Sequence, residues 1–378
     1  MRRSPDCLLV FLVVVMLVSA PGCKGGGALR VAVFSGHGAV PGCVVDTVEA
    51  LRIDPEVEPV VVTASEISTG ILDGFDVLVF AGGGGSRQVN NLGAQGVARV
   101  RDFVMGKGKG VVGICAGAYM LTATPDYKCL GLCGVEAIDR EHDERGHGII
   151  AFSLTGEGRE VFPELAGVRR AFVYYYEGPL CVPARAFSGT YLPLATILSD
   201  VHLENDAPAG LMPGKPLLMA VEAGRGRVFL SVGHPETTPG MRWIVPRMAR
   251  WVARRDRIPY PDSVVRPHLY TGEILFDKKR RALERALFQK LLYGSAEERI
   301  EATGKLVEIR SWAARQWITG LLRDHEPAVR QTAARALADI EYTAAIGDLR
   351  ASVSVEKDEG TRAVLEDSLE RLRRMVGR

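Results

Sequence analysis

From residue 29 onward the chain alternates short apolar runs with segments of helical period. Residues 29–34 read as a first strand that runs into the turn Ser35-Gly36-His37-Gly38. Residues 44–51 offer one apolar helix face, and 58–63 read as a second strand. The run at 76–81 (DVLVFA) is continuous enough to be buried on both faces of a sheet, and it opens into Gly82-Gly83-Gly84-Gly85-Ser86. Val97, Val100, Phe103 and Val104 form a helical stripe that stops at Lys107-Gly108-Lys109-Gly110. Residues 111–114 are the next buried strand, and a run fit for a helix follows. Further on, 217–222 and 227–232 read as paired strands joined by Ala223-Gly224-Arg225-Gly226. The pattern predicts an α/β fold, a flavodoxin-like parallel sheet with helices on both faces. Ligands bind such sheets at the carboxyl ends of the strands, where the glycine run, Cys115 and the segment after Val232 all fall.

Beyond residue 255 the pattern changes. Pro259, Pro261 and Pro267 punctuate a linker over 256–272, and helices rich in Ala, Leu, Arg and Glu fill 273–378. Arg299, Arg330 and Arg362 recur at a spacing of about 31 residues, and Leu306, Leu337 and Leu369 follow them at a constant offset. The helix around Ala328 to Leu337 resembles that of a HEAT-type repeat. Stacked helix pairs of this period bury one continuous core and present a surface to a protein partner. The middle unit is clear, and the outer two are degenerate, as caps are.

The first residues share neither pattern. Arg2 and Arg3 precede an unbroken apolar run at 8–18, too short to span a bilayer as a helix and suited to a signal h-region. It closes on Ser19-Ala20-Pro21-Gly22-Cys23, small residues before a cysteine that resemble a bacterial lipoprotein cleavage box, with Ala20 where leucine is usual. The expectation is a signal peptide over 1–22, Cys23 as the lipid-bearing first residue, and a Gly-rich tether over 23–28. Such a protein is exported to the cell envelope and held to a membrane by its lipid, facing the periplasm.

Composition narrows the classes. The formal net charge of +2 points to neither nucleic acid nor an anionic surface. Seven cysteines (Cys7, Cys23, Cys43, Cys115, Cys129, Cys133 and Cys181) are too few and too irregular for a disulfide scaffold. Neither Cys129 with Cys133 nor the histidines of Arg140 to His147 keep the spacing of a zinc site, so no metal and no cofactor is expected. The mixed-sign run around His142 and His147 reads as a solvated loop near the mouth of the site.

The candidate chemistry lies at two strand ends. Cys115 follows a buried strand and is framed by Gly113 and Gly117, the strand–nucleophile–helix layout of a nucleophile elbow. The second strand of the later pair delivers Gly233-His234-Pro235-Glu236. An imidazole there can take the thiol proton, and a carboxylate two residues on can orient its other nitrogen. Pro235 stiffens the turn between them.

Gly113-Ile114-Cys115-Ala116-Gly117 with His234-Pro235-Glu236 resembles the class I glutamine amidotransferase superfamily. With Phe80 to Gly84, Tyr174-Tyr175-Tyr176-Glu177-Gly178 and Phe229 to Gly233, the fuller pattern resembles its biotin-protein-ligase N-terminal branch over 29–255. The resemblance implies Cys115 as nucleophile, His234 as base and Glu236 as orienting acid. It also implies an oxyanion hole from the amides of Ala116 and of Gly83 or Gly84. The chemistry implied is attack on a side-chain amide, an acyl-thioester resolved by water, and release of ammonia. No ATP-binding synthetase and no ligase part accompany the domain, and Gly224-Arg225-Gly226-Arg227 is explained as a hairpin turn. Two functions remain open. One is a cysteine-dependent amide hydrolase acting on a small or peptide-like amide. The other is a catalytically silent binding or scaffold lipoprotein whose helical tail recruits a protein partner.

Overall fold

The computed structural model describes residues 27–185 and 191–376. The expected signal peptide and Cys23, the expected lipidation site, lie outside the described residues. Among the described residues no helix is long and apolar enough to cross a membrane.

The chain enters on β1 (Leu29–Phe34) and passes through α1 (Pro41–Leu51) to β2 (Val57–Val62). It returns through α2 (Ala64–Ser68) to β3 (Val77–Phe80), then through α3 (Gly85–Arg101) to β4 (Gly110–Ile114) and α4 (Ala116–Leu121). These four strands pair in parallel in the order β2-β1-β3-β4. Both β3 and β4 are buried along their whole length, the state that their unbroken apolar sequences require. Then come β5 (Val135–Ile138), β6 (His147–Leu154), α5 (Gly156–Val161), β7 (Ala171–Tyr176) and β8 (Leu180–Pro183). β9 (Leu192–Ile197), β10 (Pro216–Ala223), β11 (Gly226–Ser231) and α6 (Ile244–Val252) complete the α/β part.

β11 joins the parallel half beside β4, but the sheet does not stay parallel. β10 is antiparallel to β11 and to β9, and β9 and β7 are antiparallel to β6. Two residues, Gly224 and Arg225, connect β10 to β11, and a connection that short permits only antiparallel pairing. The expected parallel sheet is therefore one half of a mixed, 10-stranded sheet. Its parallel half carries the strand ends that matter for chemistry. Helices cover both faces, with α1 against α6 on one side and α3 between α2 and α4 on the other.

The proline-rich segment after Arg255 is packed rather than loose. Tyr260 is buried and its hydroxyl donates to Asp54 at 3.1 Å, beside the buried Arg250–Asp54 ion pair. β12 (Ile274–Leu275) then adds to the sheet edge at β6. Three helix pairs follow: α7 (Lys278–Tyr293) with α8 (Ala296–Glu308), α9 (Ala314–Gly320) with α10 (Pro327–Asp339), and α11 (Ile346–Val355) with α12 (Glu359–Arg374). The repeat seen in the sequence has a physical basis. Leu306, Leu337 and Leu369 are buried at equivalent places on α8, α10 and α12. Arg299 binds Asp324 at 3.0 Å, and Arg330 binds Glu356 through two bonds of 2.7 Å. Each arginine thus holds the loop that leads into the second helix of the next pair, while Arg362, on the last helix, turns back to the Glu356 carbonyl.

Leu337 fills the centre of this stack at 0% exposure. Leu337→Ala is expected to cost about 2–5 kcal/mol, read from urea unfolding of the full chain. A loss below about 1 kcal/mol would contradict a core shared by the three pairs.

Candidate active site

Cys115 stands between β4 and α4 with φ 53° and ψ −106°, a backbone conformation that costs a non-glycine residue energy. The surrounding chain holds it there. The Cys115 amide donates to the Ser231 carbonyl of β11 at 2.8 Å. A Cβ on Gly117 would lie 2.0 Å from the Phe80 carbonyl oxygen, so only glycine lets the turn pass β3 this closely. The thiol donates to the Tyr176 carbonyl at 3.3 Å and is 7% exposed.

His234 leaves β11, the strand next to β4, so register alone brings it towards Cys115. Its amide donates to the Tyr174 carbonyl at 2.7 Å. The Thr238 hydroxyl donates to the His234 carbonyl at 2.7 Å and accepts from the Tyr174 amide at 2.9 Å. Pro235 opens a single 3-10 turn, Pro235–Thr237, which folds Glu236 back beneath the ring. There Nδ1 of His234 donates to Oε1 of Glu236 at 2.6 Å, leaving Nε2 for the thiol. Burial by itself would drive the proton off this imidazole. The charge of Glu236, followed by the interaction with Cys115, overcomes it and raises His234 to about 10. These neighbours favour the protonated ring.

The structure distinguishes between the two amides expected to accompany that of Ala116. The Gly84 amide is already bonded to the Gly38 carbonyl at 2.8 Å, whereas that of Gly83 has no partner among the described residues. Ala116 and Gly83 thus keep unspent amides among the described residues, and Gly84 does not.

Three features escaped the sequence reading. Cys43, on α1, has its sulfur within 4.8 Å of ligand atoms of both His234 and Glu236. A Cβ on Gly82 would lie 2.9 Å from His234 Cε1 and 3.0 Å from Cys43 Sγ, so Gly82 makes room for both. Burial first, then Glu236, Asp46 and Cys115, push the Cys43 thiol well above its ordinary range. Cys43, His234 and Glu236 form a donor set suited to a zinc-like ion. Any such ion would have to displace protons from both Cys43 and His234. The third feature is Trp312, from the helical part, whose ring stands 4.7 Å from that of His234.

The charged run at 140–147 is only partly the solvated loop expected: Arg140, Glu141, Asp143 and Glu144 are exposed, whereas Arg145 and His147 are not. Arg145 is buried at 1% exposure and pairs with Asp139, which also bonds His142 at 2.6 Å. His147 is the first residue of β6, stacked between Tyr176 and Phe276, and burial followed by Arg281 lowers it to about 4. Mixed-sign composition concealed these partners: Asp139 lies immediately before the run, and Tyr176 and Phe276 come from other elements. Of Tyr174 to Tyr176, the first two are buried packing residues and Tyr176 is 40% exposed at the site. Glu177 beside them has φ 54°. Burial, then Glu144, Glu204 and Asp143, raise its carboxyl to about 7.

The fold is a mixed α/β sheet covered by helices on both faces, with a helical-repeat unit appended. Residues 29–131 match the family of the biotin-protein ligase N-terminal region, and residues 284–370 match HEAT repeats. The first match contains Gly83, Cys115 and Ala116 and stops before His234 and Glu236. No curated protein matches the sequence. Among solved structures, a putative ThuA-like protein from Parabacteroides merdae is similar at 15% identity and a TM-score of 0.44, covering 61% of this chain and 93% of that one. The glutaminase domain of Trypanosoma brucei CTPS with bound acivicin is similar at 12% identity and a TM-score of 0.40, covering 62% and 97%. At these scores neither likeness bears on the chemistry.

Glu177 gives a pH test of the site's electrostatics. A carboxyl raised on folding opposes the folded state fully above its folded pKa, and that opposition fades as pH falls to the unfolded value. Glu177→Gln is therefore expected to raise the melting temperature at pH above about 7, with the gain shrinking towards pH 4.5 and vanishing below it. A gain that is the same at all pH values would contradict the assignment.

Proposed function

We propose that this protein is a cysteine-dependent amide hydrolase of the amidotransferase type, acting on a small or peptide-like amide. The observation that carries the reading is the strained Cys115 set beside a buried pair in which Glu236 holds Nδ1 of His234. In this mechanism the Cys115 thiol proton passes to His234, Sγ attacks the amide carbonyl carbon as the thiolate, and the developing oxyanion meets the amides of Ala116 and Gly83. The imidazolium gives its proton to the leaving nitrogen, the C–N bond breaks, and ammonia or an amine departs. Water then attacks the acyl-thioester while His234 accepts its proton; the C–S bond breaks, Cys115 leaves as the thiolate beside the imidazolium, and the acid is released. Glu236 fixes the ring through Nδ1.

The low exposure of Cys115 favours a second reading, a silent pocket kept for binding. HEAT-type repeats commonly bind proteins, and a partner surface on the helical pairs belongs to either reading. From the sequence of 1–23 we also propose export, with lipid on Cys23 holding the protein at the membrane.

In the reduced, folded protein, iodoacetamide is expected to modify Cys115 ahead of Cys43, Cys133 and Cys181, which are buried and, unlike Cys115, lie at no elbow. His234→Ala is expected to slow this modification at least about tenfold, read by mass spectrometry of the peptides. An unreactive Cys115 in the wild type would contradict the nucleophile. Selective alkylation without hydrolysis of a panel of glutamine-like and peptide amides would support the silent pocket.

A further inference from the structure

The helical repeats do more than follow the α/β domain. The loop between α8 and α9 lies over the carboxyl edge of the sheet and places Trp312 against the candidate active site. The indole is 4.7 Å from the His234 ring at 86°, 4.4 Å from Tyr174 at 87° and 5.7 Å from Tyr176 at 75°. Perpendicular pairs of this kind suit the quadrupoles of the rings and resist sliding. Tyr174 and Tyr176 lie two apart on β7 and so present the same face of the strand. One side chain from the repeats therefore touches the base, the strand carbonyl-bonded to that base through Tyr174, and the residue whose carbonyl accepts from the thiol.

The loop bearing Trp312 is tied down on both sides. Arg310 accepts from the Tyr174 hydroxyl at 3.4 Å through its carbonyl. The Ser311 hydroxyl bonds Glu284 on α7 and accepts from the Ala314 amide at 3.1 Å. Arg315 covers the indole at 4.9 Å, forms an ion pair with the buried Asp46 of α1 at 3.0 Å, and bonds Thr237 in the His-Pro-Glu turn. Further along, Glu341 accepts from the Gly240 amide at 3.3 Å and pairs with Arg266. An arm that only displayed a partner surface would have no need of contacts converging on one catalytic turn.

We propose that Trp312 is a positioning residue for His234, and that the helical unit is in this way a working part of the active site. The proposal rests on the hydrolase reading above. Trp312 braces the imidazole in addition to the Nδ1 bond to Glu236, so that Nε2 stays directed at Cys115. Removing the indole leaves the base tethered by one bond, free to tilt.

The test compares wild type with Trp312→Ala, Trp312→Leu and Trp312→Phe in the full chain. The readout is the second-order rate of Cys115 modification by iodoacetamide, resolved by peptide mass spectrometry with the partly exposed Cys129 as internal reference. A purely structural cover and a positioning residue predict opposite signs. Removing a cover exposes the thiol and speeds its reaction. Loss of positioning slows it, by about tenfold in Trp312→Ala for a displacement on the order of 1 Å. Trp312→Phe is expected to recover most of the rate. Trp312→Leu keeps an apolar side chain in the seam between the units, so it answers the question where Trp312→Ala does not fold. It is expected to remain slow. Equal or faster Cys115 modification in a folded Ala or Leu variant overturns the proposal. A wild-type Cys115 that does not react overturns the hydrolase reading instead, so the two failures are distinct.

Discussion

The pair of His234 and Glu236 is the interaction on which the rest of the site depends. Both side chains are almost wholly buried, and taking two charges out of water is costly unless their geometry is good. Here Nδ1 meets Oε1 at 2.6 Å, and the turn that achieves this is held by Thr238, by the Tyr174 carbonyl, and by Arg242 donating to the Glu236 carbonyl at 3.1 Å. Breaking such a pair from one side leaves an uncompensated buried charge, at a cost of about 3–5 kcal/mol. The neighbouring elements therefore accept strain and close approach around it. Cys115 sits at positive φ, and Gly82 and Gly117 stand where a Cβ would collide.

The sheet explains why these groups meet at all. β4 and β11 are parallel neighbours, so the residues that follow each of them emerge on the same edge. The antiparallel extension through β10, β9, β6 and β7 brings the backbone of Tyr174 and Tyr176 to that edge as well. The repeats then close over it. Two halves that look independent in composition share one seam, and Trp312, Arg315 and Glu341 cross it.

What could be read in the sequence was what is local along the chain. Cys115 announces itself through Gly113 and Gly117, and the His234–Glu236 pair through a motif of three residues at the end of a strand. The repeat was visible because arginine and leucine recur at equivalent positions in successive helix pairs, where Arg299 and Arg330 each hold an acidic residue of the next pair. Cys43 gave no signal, since one cysteine on a helix face looks like core. Trp312 and Arg315 gave none either, because their partners are distant in the chain: Arg315 and Asp46 are 269 residues apart. The burial of Arg145 and His147 depends likewise on Asp139, Tyr176 and Phe276 rather than on the run's own composition. The antiparallel half of the sheet was foreshadowed only where a two-residue turn forced it.

The protonation of His234 tests the account most directly. Nitrogen-15 NMR of the imidazole in the full chain, followed from neutral to alkaline pH, reads it without reference to any substrate. Glu236 and Cys115 should keep the ring protonated through neutral pH, with titration well above the ordinary histidine range, and Glu236→Gln should bring that titration down. A wild-type His234 that is already neutral at pH 7, or one whose titration is unmoved by Glu236→Gln, would contradict the pairing on which the site is built.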